Sequence, residues 1–301
     1  MFQKIPSFPH LKSLEISDEE VIKSYFSEIQ PKTSDYSFAN LYLWRNYDAP
    51  KITLIGDNLC VLLQPKDANP YFLFPGGKER IESTLEKCFT YLRVGPQLRM
   101  VPEEIAEKFF KGKKSYRCVL DRDNSDYLYL TKDLINLKGR KYDGKRNWIN
   151  RFKANYQAEM VPLTVDLIPQ AFWLLEKWAK TKRGSLLKYE IDAIGEALNN
   201  LEHLKLISCA ILINDRLEAF MVADELDSET AVVYIQVANP EIAGLPQYFH
   251  WQFTAQKLAS YRYVNWEQDL GQPGLRRAKL SYHPCRIIKS MISIGFELWY
   301  N

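Results

Sequence analysis

Hydrophobic residues in the first half of the chain fall into short runs that alternate with polar residues and are separated by turn residues. This period of two predicts strands, and three of the runs predict an antiparallel meander at residues 51–55, 59–64 and 71–74. Apolar positions at helical spacing occur on either side of the meander, and Ser17 stands where it can cap the first helix. The predicted helices span residues 18–30, 36–47, 79–92 and 102–110, and shorter strands span 98–101, 116–120 and 127–130.

The second half of the chain repeats this order in longer elements. Helical spacing predicts helices at residues 165–180 and 189–201, and a change to alternating spacing then predicts three antiparallel strands. A helix and a strand follow, and such a unit creates a place where neighbouring parallel strands separate and a ligand enters beside the N-terminus of the connecting helix. The strands are predicted at residues 159–162, 207–213, 217–225, 231–237 and 261–266, the connecting helix at 247–260 and a short last helix at 275–281.

Length and composition place the chain among ordinary globular proteins. Its 301 residues predict two domains, and a content of 46% hydrophobic and 26% charged residues excludes a disordered chain. No apolar run approaches the ~20 residues needed to cross a bilayer, and the first residues lack the apolar segment of a signal peptide. We therefore expect a cytoplasmic protein without a transmembrane segment. Five widely spaced cysteines and four histidines form no ligand pattern, so we expect neither a disulfide framework nor a metal site.

Positive charge is concentrated between residues 138 and 153, although the net charge of the chain is only +3. On a helix through this stretch, Arg146, Asn150 and Lys153 are expected to face solvent. Because polyanions require several cations on one face, the stretch is interpreted either as a solvated basic helix or as an anion-binding surface for a phosphorylated donor, an RNA backbone or anionic lipid. The seven basic residues are Lys138, Arg140, Lys141, Lys145, Arg146, Arg151 and Lys153. The residues expected to face the core are Trp148, Ile149, Phe152 and Tyr156.

A short stretch near the C-terminal end of the sequence combines carboxylates, cations and a phenol. The strand before it would deliver Glu267 and Asp269 to its C-terminal edge. The short helix after the loop would place Arg276 and Lys279 on one face, because residues three apart are neighbours on a helix, and Tyr282 follows that helix. These side chains predict a polar pocket. The alternative is a surface loop whose opposite charges pair with each other.

Two segments of the sequence carry a family resemblance. DYLYLTKDLINLKGRKYDGKRNWINRF, from Asp126 to Phe152, and EQDLGQPGLRRAKLSYHP, from Glu267 to Pro284, resemble the family of proteins named for the C-terminal domain of phosphatidylglycerol lysyltransferase. The GLRRAK motif at residues 274–279 resembles, more distantly, a segment of the Fem peptidoglycan aminoacyltransferases. The order of the predicted elements is similar to the GNAT acyltransferase fold.

The resemblance implies an α+β architecture of two tandem GNAT-like domains. Each domain would hold a mixed, mostly antiparallel sheet flanked by helices, so that the chain has two similar central sheets. The domains are expected at residues 1–130 and 131–301, with the transferase site in the second. In characterised members of these groups the reaction is the transfer of an aminoacyl group from charged tRNA, and no tightly bound cofactor is implied.

The resemblance also suggests catalytic roles, which the residue types allow. Acyl transfer needs stabilisation of an oxyanion, and Lys279 with Arg276 would provide it. It also needs a base that removes a proton from the acceptor, and Tyr282 would then protonate the leaving group. The candidate bases are Glu267, Asp269 and Glu225, and His250 and His283 are further acid/base candidates.

Donor binding is expected in two places. In the GNAT arrangement the anionic part of the donor lies at the N-terminus of the connecting helix, where Gly244 would permit close approach and Gln247 and Tyr248 would line the site. Lys145 and Arg146 of the basic stretch would bind phosphates of the donor.

Three functions are left open by these residues. The first is transfer from aminoacyl-tRNA to an amine or hydroxyl acceptor, which would be a small molecule, a lipid or a peptide. The second is acyl-CoA-dependent N-acyl transfer, although the segment AGLPQYFH, residues 243–250, lacks the glycine-rich series of amides expected for coenzyme A. The third is a non-catalytic protein that binds an anion or RNA.

Overall fold

A computed structural model describes residues 5–29, 32–77, 79–93 and 95–295. Residue 30, the last residue of the first predicted helix, lies outside them. The chain forms two compact units. The first unit comprises the chain up to Asp126, the loop Gln268–Pro273 and the segment from Ile287 onward, and the second comprises Tyr127–Glu267 and Gly274–Arg286.

The first part of the chain folds into short helices and a strand meander. Ser37 begins one helix because its side chain accepts a hydrogen bond from the Asn40 backbone N–H at 3.0 Å. The elements in chain order are β1 (Lys12–Ser13), α1 (Glu19–Ile29), α2 (Phe38–Leu43), α3 (Arg45–Asp48), β2 (Lys51–Ile55), β3 (Asn58–Leu63), β4 (Tyr71–Phe72), α4 (Ile81–Tyr91), β5 (Gln97–Pro102), α5 (Glu103–Phe109) and β6 (Tyr116–Leu130).

The second part of the chain contains the longer elements that the sequence predicts. Two helices carry a proline in their first turn, Pro169 in one and Pro246 in the other. A backbone N–H at this position would have no partner within the helix, so proline costs no hydrogen bond there. The elements are α6 (Thr131–Asn136), α7 (Asp143–Asn155), β7 (Glu159–Pro162), α8 (Ile168–Ala179), α9 (Leu187–Asn199), β8 (Ile207–Ile213), β9 (Arg216–Asp227), β10 (Thr230–Ala238), α10 (Leu245–Lys257), β11 (Tyr263–Asn265), α11 (Pro273–Leu280) and β12 (Arg286–Gly295).

The sheet of the first unit is mixed and mostly antiparallel. Its strands follow the order β1, β2, β3, β4, β5, β12, and the N-terminal part of β6 comes next. The β4 and β5 strands pair in parallel, with Phe72 opposite Leu98, and the antiparallel pairs include β2 with β3 and β5 with β12. Every residue of β3 is buried, as expected for a strand covered on both faces.

The sheet of the second unit is also mixed, with the order β6, β11, β10, β9, β8, β7. The β11 strand is antiparallel to the end of β6 and parallel to β10. The parallel ladder runs from the pair Thr230 and Tyr263 to the pair Val232 and Asn265 and then ends, whereas β10 continues to Ala238. The two strands therefore stop pairing at the C-terminal end of β11, as the strand, helix, strand pattern predicts.

One strand corrects the predicted architecture. Residues 116–130 form a single strand in place of two short ones, and its two parts belong to the ladders of both units, so the expectation of two separate sheets is wrong. The polar segment in its middle, DRDNSD, has the composition of a turn. It stays extended because partners in the first unit satisfy it. Asp121 accepts from Arg99 at 3.2 Å, and Asp126 accepts from the Ser34 backbone N–H at 2.7 Å.

Two further findings concern the described part of the chain as a whole. No helix in the described residues is both long enough and apolar enough to cross a bilayer. The described residues also contain no group of three or more His, Cys, Asp or Glu side chains placed to hold a metal ion.

Candidate active site of the second unit

A glycine fixes the packing of α7 against α10. Gly244 precedes α10 with φ of 84°, and a Cβ atom built on it would lie 2.5 Å from the Trp148 carbonyl oxygen and 3.1 Å from Cβ of Phe152. Tyr248, one turn along α10, stacks on Phe152 with ring centroids 4.5 Å apart. The backbone of α7 therefore packs directly against Gly244.

Four side chains from different elements meet where β10 and β11 stop pairing. His250 comes from α10, Trp266 follows β11, Tyr282 follows α11 and Lys145 comes from α7. The ring centroids of His250 and Trp266 are 3.9 Å apart, those of Trp266 and Tyr282 are 4.8 Å apart, and those of His250 and Tyr282 are 5.4 Å apart. Lys145 Nζ lies 3.7 Å from the Tyr282 ring centroid. We call these four residues the Lys145 cluster.

Burial dominates the electrostatics of the Lys145 cluster. It lowers the pKa of Lys145 to about 8, because a desolvated ammonium group favours its neutral form. Burial, and then the positive charge of Lys145, lower the pKa of His250 to about 3, so this imidazole is neutral. Burial raises the pKa of Tyr282, which therefore keeps its proton.

Lys145 has a polar contact but no counter-ion in the part of the chain that the structure describes. Its Nζ donates to Ser281 Oγ at 2.7 Å. Among the described residues, no carboxylate lies within ion-pair distance of it, and no charged neighbour contributes to its pKa shift. A partly desolvated positive charge without a partner is available to an incoming anion.

Lys279 and Arg276 lie on α11, beside the cluster. The Lys279 ammonium donates to the Trp266 carbonyl oxygen, and its own carbonyl accepts a hydrogen bond from the Tyr129 hydroxyl at 2.8 Å. Arg276 is half-buried on the same helix. The predicted helix therefore brings Lys279 to the end of β11, where Tyr282 also lies.

The carboxylate candidates lie in different surroundings. Glu267 is half-buried in the second unit, where its backbone N–H donates to Asn265 Oδ1 at 2.7 Å. Asp269 belongs to the first unit and is fully buried, and its two oxygens accept from Arg122 at 3.2 Å and from the Gly271 backbone N–H at 2.9 Å. Glu225 is exposed and accepts from the Tyr261 hydroxyl at 2.9 Å.

The remaining donor-binding candidates are distributed along α7 and α10. Arg146 braces the start of α7, where it donates to the carbonyl oxygens of Leu137 and Gly139 and pairs with Asp143. Gln247 is half-buried in the first turn of α10. Gly244 and Tyr248 thus lie at the contact between α7 and α10, whereas Arg146 is engaged within its own loop.

The outer face of α7 differs from the prediction. Ile149 and Phe152 are buried as expected, whereas Trp148 and Tyr156 are 43% and 36% exposed. The covered face of the helix is therefore narrower than its apolar spacing predicts. Cations accompany the exposed rings, with the Arg151 guanidinium 5.6 Å from the centroid of Trp148.

Sequence reasoning missed part of the cluster. Trp266 had no assigned role, and His250 was only a secondary acid/base candidate. Their convergence depends on the crossing of α10 and β11, which no local pattern reveals. Two grooves of the described residues lie elsewhere: one of about 920 Å³ in the first unit is lined by Leu62 and Tyr91, and one of about 320 Å³ in the second by Trp173 and Arg216. The cluster is identified by its chemistry rather than by a large cavity.

Several solved structures are similar to this one. A conserved protein of unknown function from Bacteroides thetaiotaomicron VPI-5482 is 28% identical, with a TM-score of 0.84 over 95% of this chain and 99% of that chain. The C-terminal domain of a putative lysylphosphatidylglycerol synthetase from Agrobacterium fabrum is 12% identical, with a TM-score of 0.63 over 92% of each chain. The structure of L-PGS from Bacillus licheniformis is 14% identical, with a TM-score of 0.62 over 97% of this chain and 94% of that chain. The last two likenesses show a shared fold.

The sequence comparisons identify the family. No match was found among curated proteins. The family described as phosphatidylglycerol lysyltransferase, C-terminal, matches residues 26–292. Since this match covers most of the sequence, the chain belongs to the phosphatidylglycerol lysyltransferase C-terminal family.

Proposed function

We propose that this protein is a transferase that moves an aminoacyl group from charged tRNA to an amine or hydroxyl acceptor. The observation that carries the proposal is the Lys145 cluster at the point where the β10 and β11 ladder ends. Family membership supports group transfer, because the family takes its name from a lysyltransferase. A charged tRNA donor implies a cytoplasmic site of action.

The side chains of the cluster suit the charge changes of acyl transfer. The acceptor oxygen or nitrogen attacks the ester carbonyl, a bond to the acceptor forms, and the carbon–oxygen bond to the ribose breaks. An oxyanion develops in between, and the unpaired charge of Lys145 would stabilise it. With a pKa of about 8, Lys145 also exchanges a proton near neutral pH and would supply one to the leaving ribose hydroxyl.

Other predicted residues keep narrower roles in this proposal. Tyr282 retains its proton and would donate a hydrogen bond rather than act as a base. Lys279 would hold the Trp266 backbone in place, because its ammonium already donates to that carbonyl. Glu267 remains the proposed base in the second unit. The buried contacts of Asp269 favour a role in shaping its loop.

The surface of α7 favours RNA over coenzyme A as the source of the acyl group. Exposed Trp148 lies beside Arg151, and Lys153 Nζ lies 5.7 Å from the Trp251 ring centroid. Aromatic faces accompanied by cations are typical of sites for single-stranded nucleic acid. The backbone of α7, by contrast, packs closely against Gly244 directly before α10, which disfavours binding of a pyrophosphate at that helix N-terminus.

The donor can be identified by binding and transfer experiments. Titration with charged tRNA, uncharged tRNA and acetyl-CoA should show saturable binding of tRNA, with a log–log salt slope of roughly −0.7 per phosphate contact for a single strand. Incubation with aminoacyl-tRNA and separate lipid, peptide and small-amine acceptors should transfer the label to one class. Saturable tight binding of acetyl-CoA alone would overturn the choice of donor in favour of acyl-CoA-dependent transfer.

A further inference from the structure

The second unit contains two buried nitrogen atoms that lack a hydrogen-bond partner within the described chain. His250 is 4% exposed and its Nε2 atom has no partner, and the Nε1 atom of Trp266 has none either. Buried polar atoms in folded proteins are nearly always paired, so each such atom calls for an explanation. The two rings are in edge-to-face contact, with centroids 3.9 Å apart, so the two unpaired atoms lie on neighbouring side chains at one location of the Lys145 cluster.

The charge of that location is positive. Lys145 Nζ lies 3.7 Å from the Tyr282 ring centroid, and that ring lies 5.4 Å from the His250 ring, so the ammonium group is near the imidazole. Lys145 itself has no carboxylate partner among the described residues. The location therefore combines an ammonium group, an indole N–H and an imidazole whose Nε2 atom can donate when it carries the proton, and no carboxylate among the described residues pairs with the ammonium group.

Such a donor set selects the chemistry of its ligand. A metal ion or an ammonium ligand would be repelled by Lys145, and a neutral apolar group would leave the vacant donors unpaired. An oxyanion with several acceptor oxygens would pair with the ammonium and with the ring N–H groups through charge-assisted hydrogen bonds. The aromatic ring of Tyr282 closes one side of the location, 3.7 Å from Lys145 Nζ.

We propose that Lys145, His250 and Trp266 form an oxyanion-binding subsite that receives a phosphate or carboxylate group of the transferase substrate. Because the subsite is part of the site described above, this inference rests on the proposed function. Binding of the oxyanion is nevertheless measurable without any turnover, so the two claims can fail separately.

Protection of Lys145 from acetylation tests the subsite. The protein would be treated with a trace of acetic anhydride at pH 8, and the extent of modification at each lysine would be read by mass spectrometry. Inorganic phosphate should slow modification of Lys145 about fivefold at about four times its dissociation constant, since the free fraction falls as 1/(1 + [L]/Kd). Sodium chloride at equal ionic strength is the control for screening. Lys153, which is exposed on the same helix, is the internal control.

Acetate is the second probe and separates the two sources of the oxyanion. Saturable protection by phosphate assigns the subsite to a phosphate of the donor, and saturable protection by acetate alone assigns it to a carboxylate. Equal slowing at Lys145 and Lys153, or no protection by either anion, overturns the proposal.

A variant provides a second measurement that does not depend on lysine chemistry. In protein labelled with ¹⁵N-tryptophan, phosphate should shift the indole N–H signal of Trp266 in the wild type and should not do so in Lys145→Met. Lys145→Arg should restore the shift, because it restores the charge. If phosphate binds in this way while no donor supports transfer, the proposed function fails and the subsite stands. If transfer occurs while phosphate shifts neither readout, the subsite alone fails.

Discussion

Replacing Gly244 with alanine should destabilise the second unit and loosen the candidate active site. The backbone at Gly244 has φ of 84°, a conformation that costs an alanine about 1–2 kcal/mol. The added Cβ atom would also lie 2.5 Å from the Trp148 carbonyl oxygen, and overpacking of this kind costs about 1–3 kcal/mol. We therefore expect Gly244→Ala to lower the free energy of unfolding by about 2–5 kcal/mol. The relief of the clash moves α7 away from α10, so Lys145 and His250 should separate.

Urea unfolding followed by tryptophan fluorescence measures this effect. Five of the seven tryptophans lie between Tyr127 and Glu267, so the signal reports mainly on the second unit. Gly144→Ala on α7 is the control, because a Cβ atom there would meet nothing within 4 Å, and it should be neutral or slightly stabilising. Gly244→Asn separates the cost of the backbone conformation from the cost of the steric clash. Asparagine tolerates a positive φ but brings the same Cβ atom, so this variant retains mainly the clash. If both Gly244 variants unfold at the wild-type urea concentration, the close packing of α7 on α10 is refuted.

Four further substitutions test other parts of the structure. Because burial lowers the pKa of Lys145 from 10.5 to about 8, the unfolded chain binds more protons between these pH values, and the stability of the folded protein should rise with pH across that window. In thermal unfolding from pH 7 to 10, Lys145→Met should be more stable than the wild type at pH 7 and should lack this part of the rise. An identical pH dependence in both proteins would contradict the assignment. Asp269→Asn should lower the thermal midpoint of the first unit, because the buried partner of Arg122 loses its charge, and an unchanged midpoint would contradict that role. Lys279→Ala should abolish transfer with little change in the midpoint, and transfer at the wild-type rate would contradict the role of Lys279. Trp148→Ala should weaken tRNA binding by about 1–3 kcal/mol without changing the fold. Filter binding measures this loss, with Trp173→Ala as the control, and equal losses in both variants would mean that stacking at α7 plays no part.

The longer elements of the second unit follow from local patterns in the sequence. Alternating apolar residues in β8, β9 and β10 and helical spacing in α8 and α9 are strong signals, because each element buries one face or both. The β12 strand was not predicted, because its sequence RIIKSMISIG carries two cations and two serines and its partner β5 is distant in sequence. The polar middle of β6 resembled a turn because its partners, among them Ser34 and Arg99, are distant in sequence.

The candidate site was predictable only in part. Lys145 was found through the charge of its stretch and Tyr282 through its position after α11, which are both local signals. The pairing of His250 with Trp266 arises from the tertiary packing of α10 on the end of β11. The exposure of Trp148 could not be predicted either. Helical spacing shows which residues share a face of the helix, but it does not show how much of that face a neighbouring element covers.

The return of the chain to the first unit through β12 affects how the protein is made. While a ribosome synthesises residues 127–286, β5 has already been made but its partner strand β12 has not. Pairs between the two strands, such as Val101 with Met291, cannot yet form. The first unit thus carries an unpaired strand edge through most of translation, and such edges are sites of mispairing. The second unit can complete its own ladder earlier. A chain truncated after residue 286 and released from the ribosome should therefore show a protease-resistant second unit and a susceptible first one, and the N-terminal half would be the part that most needs a chaperone.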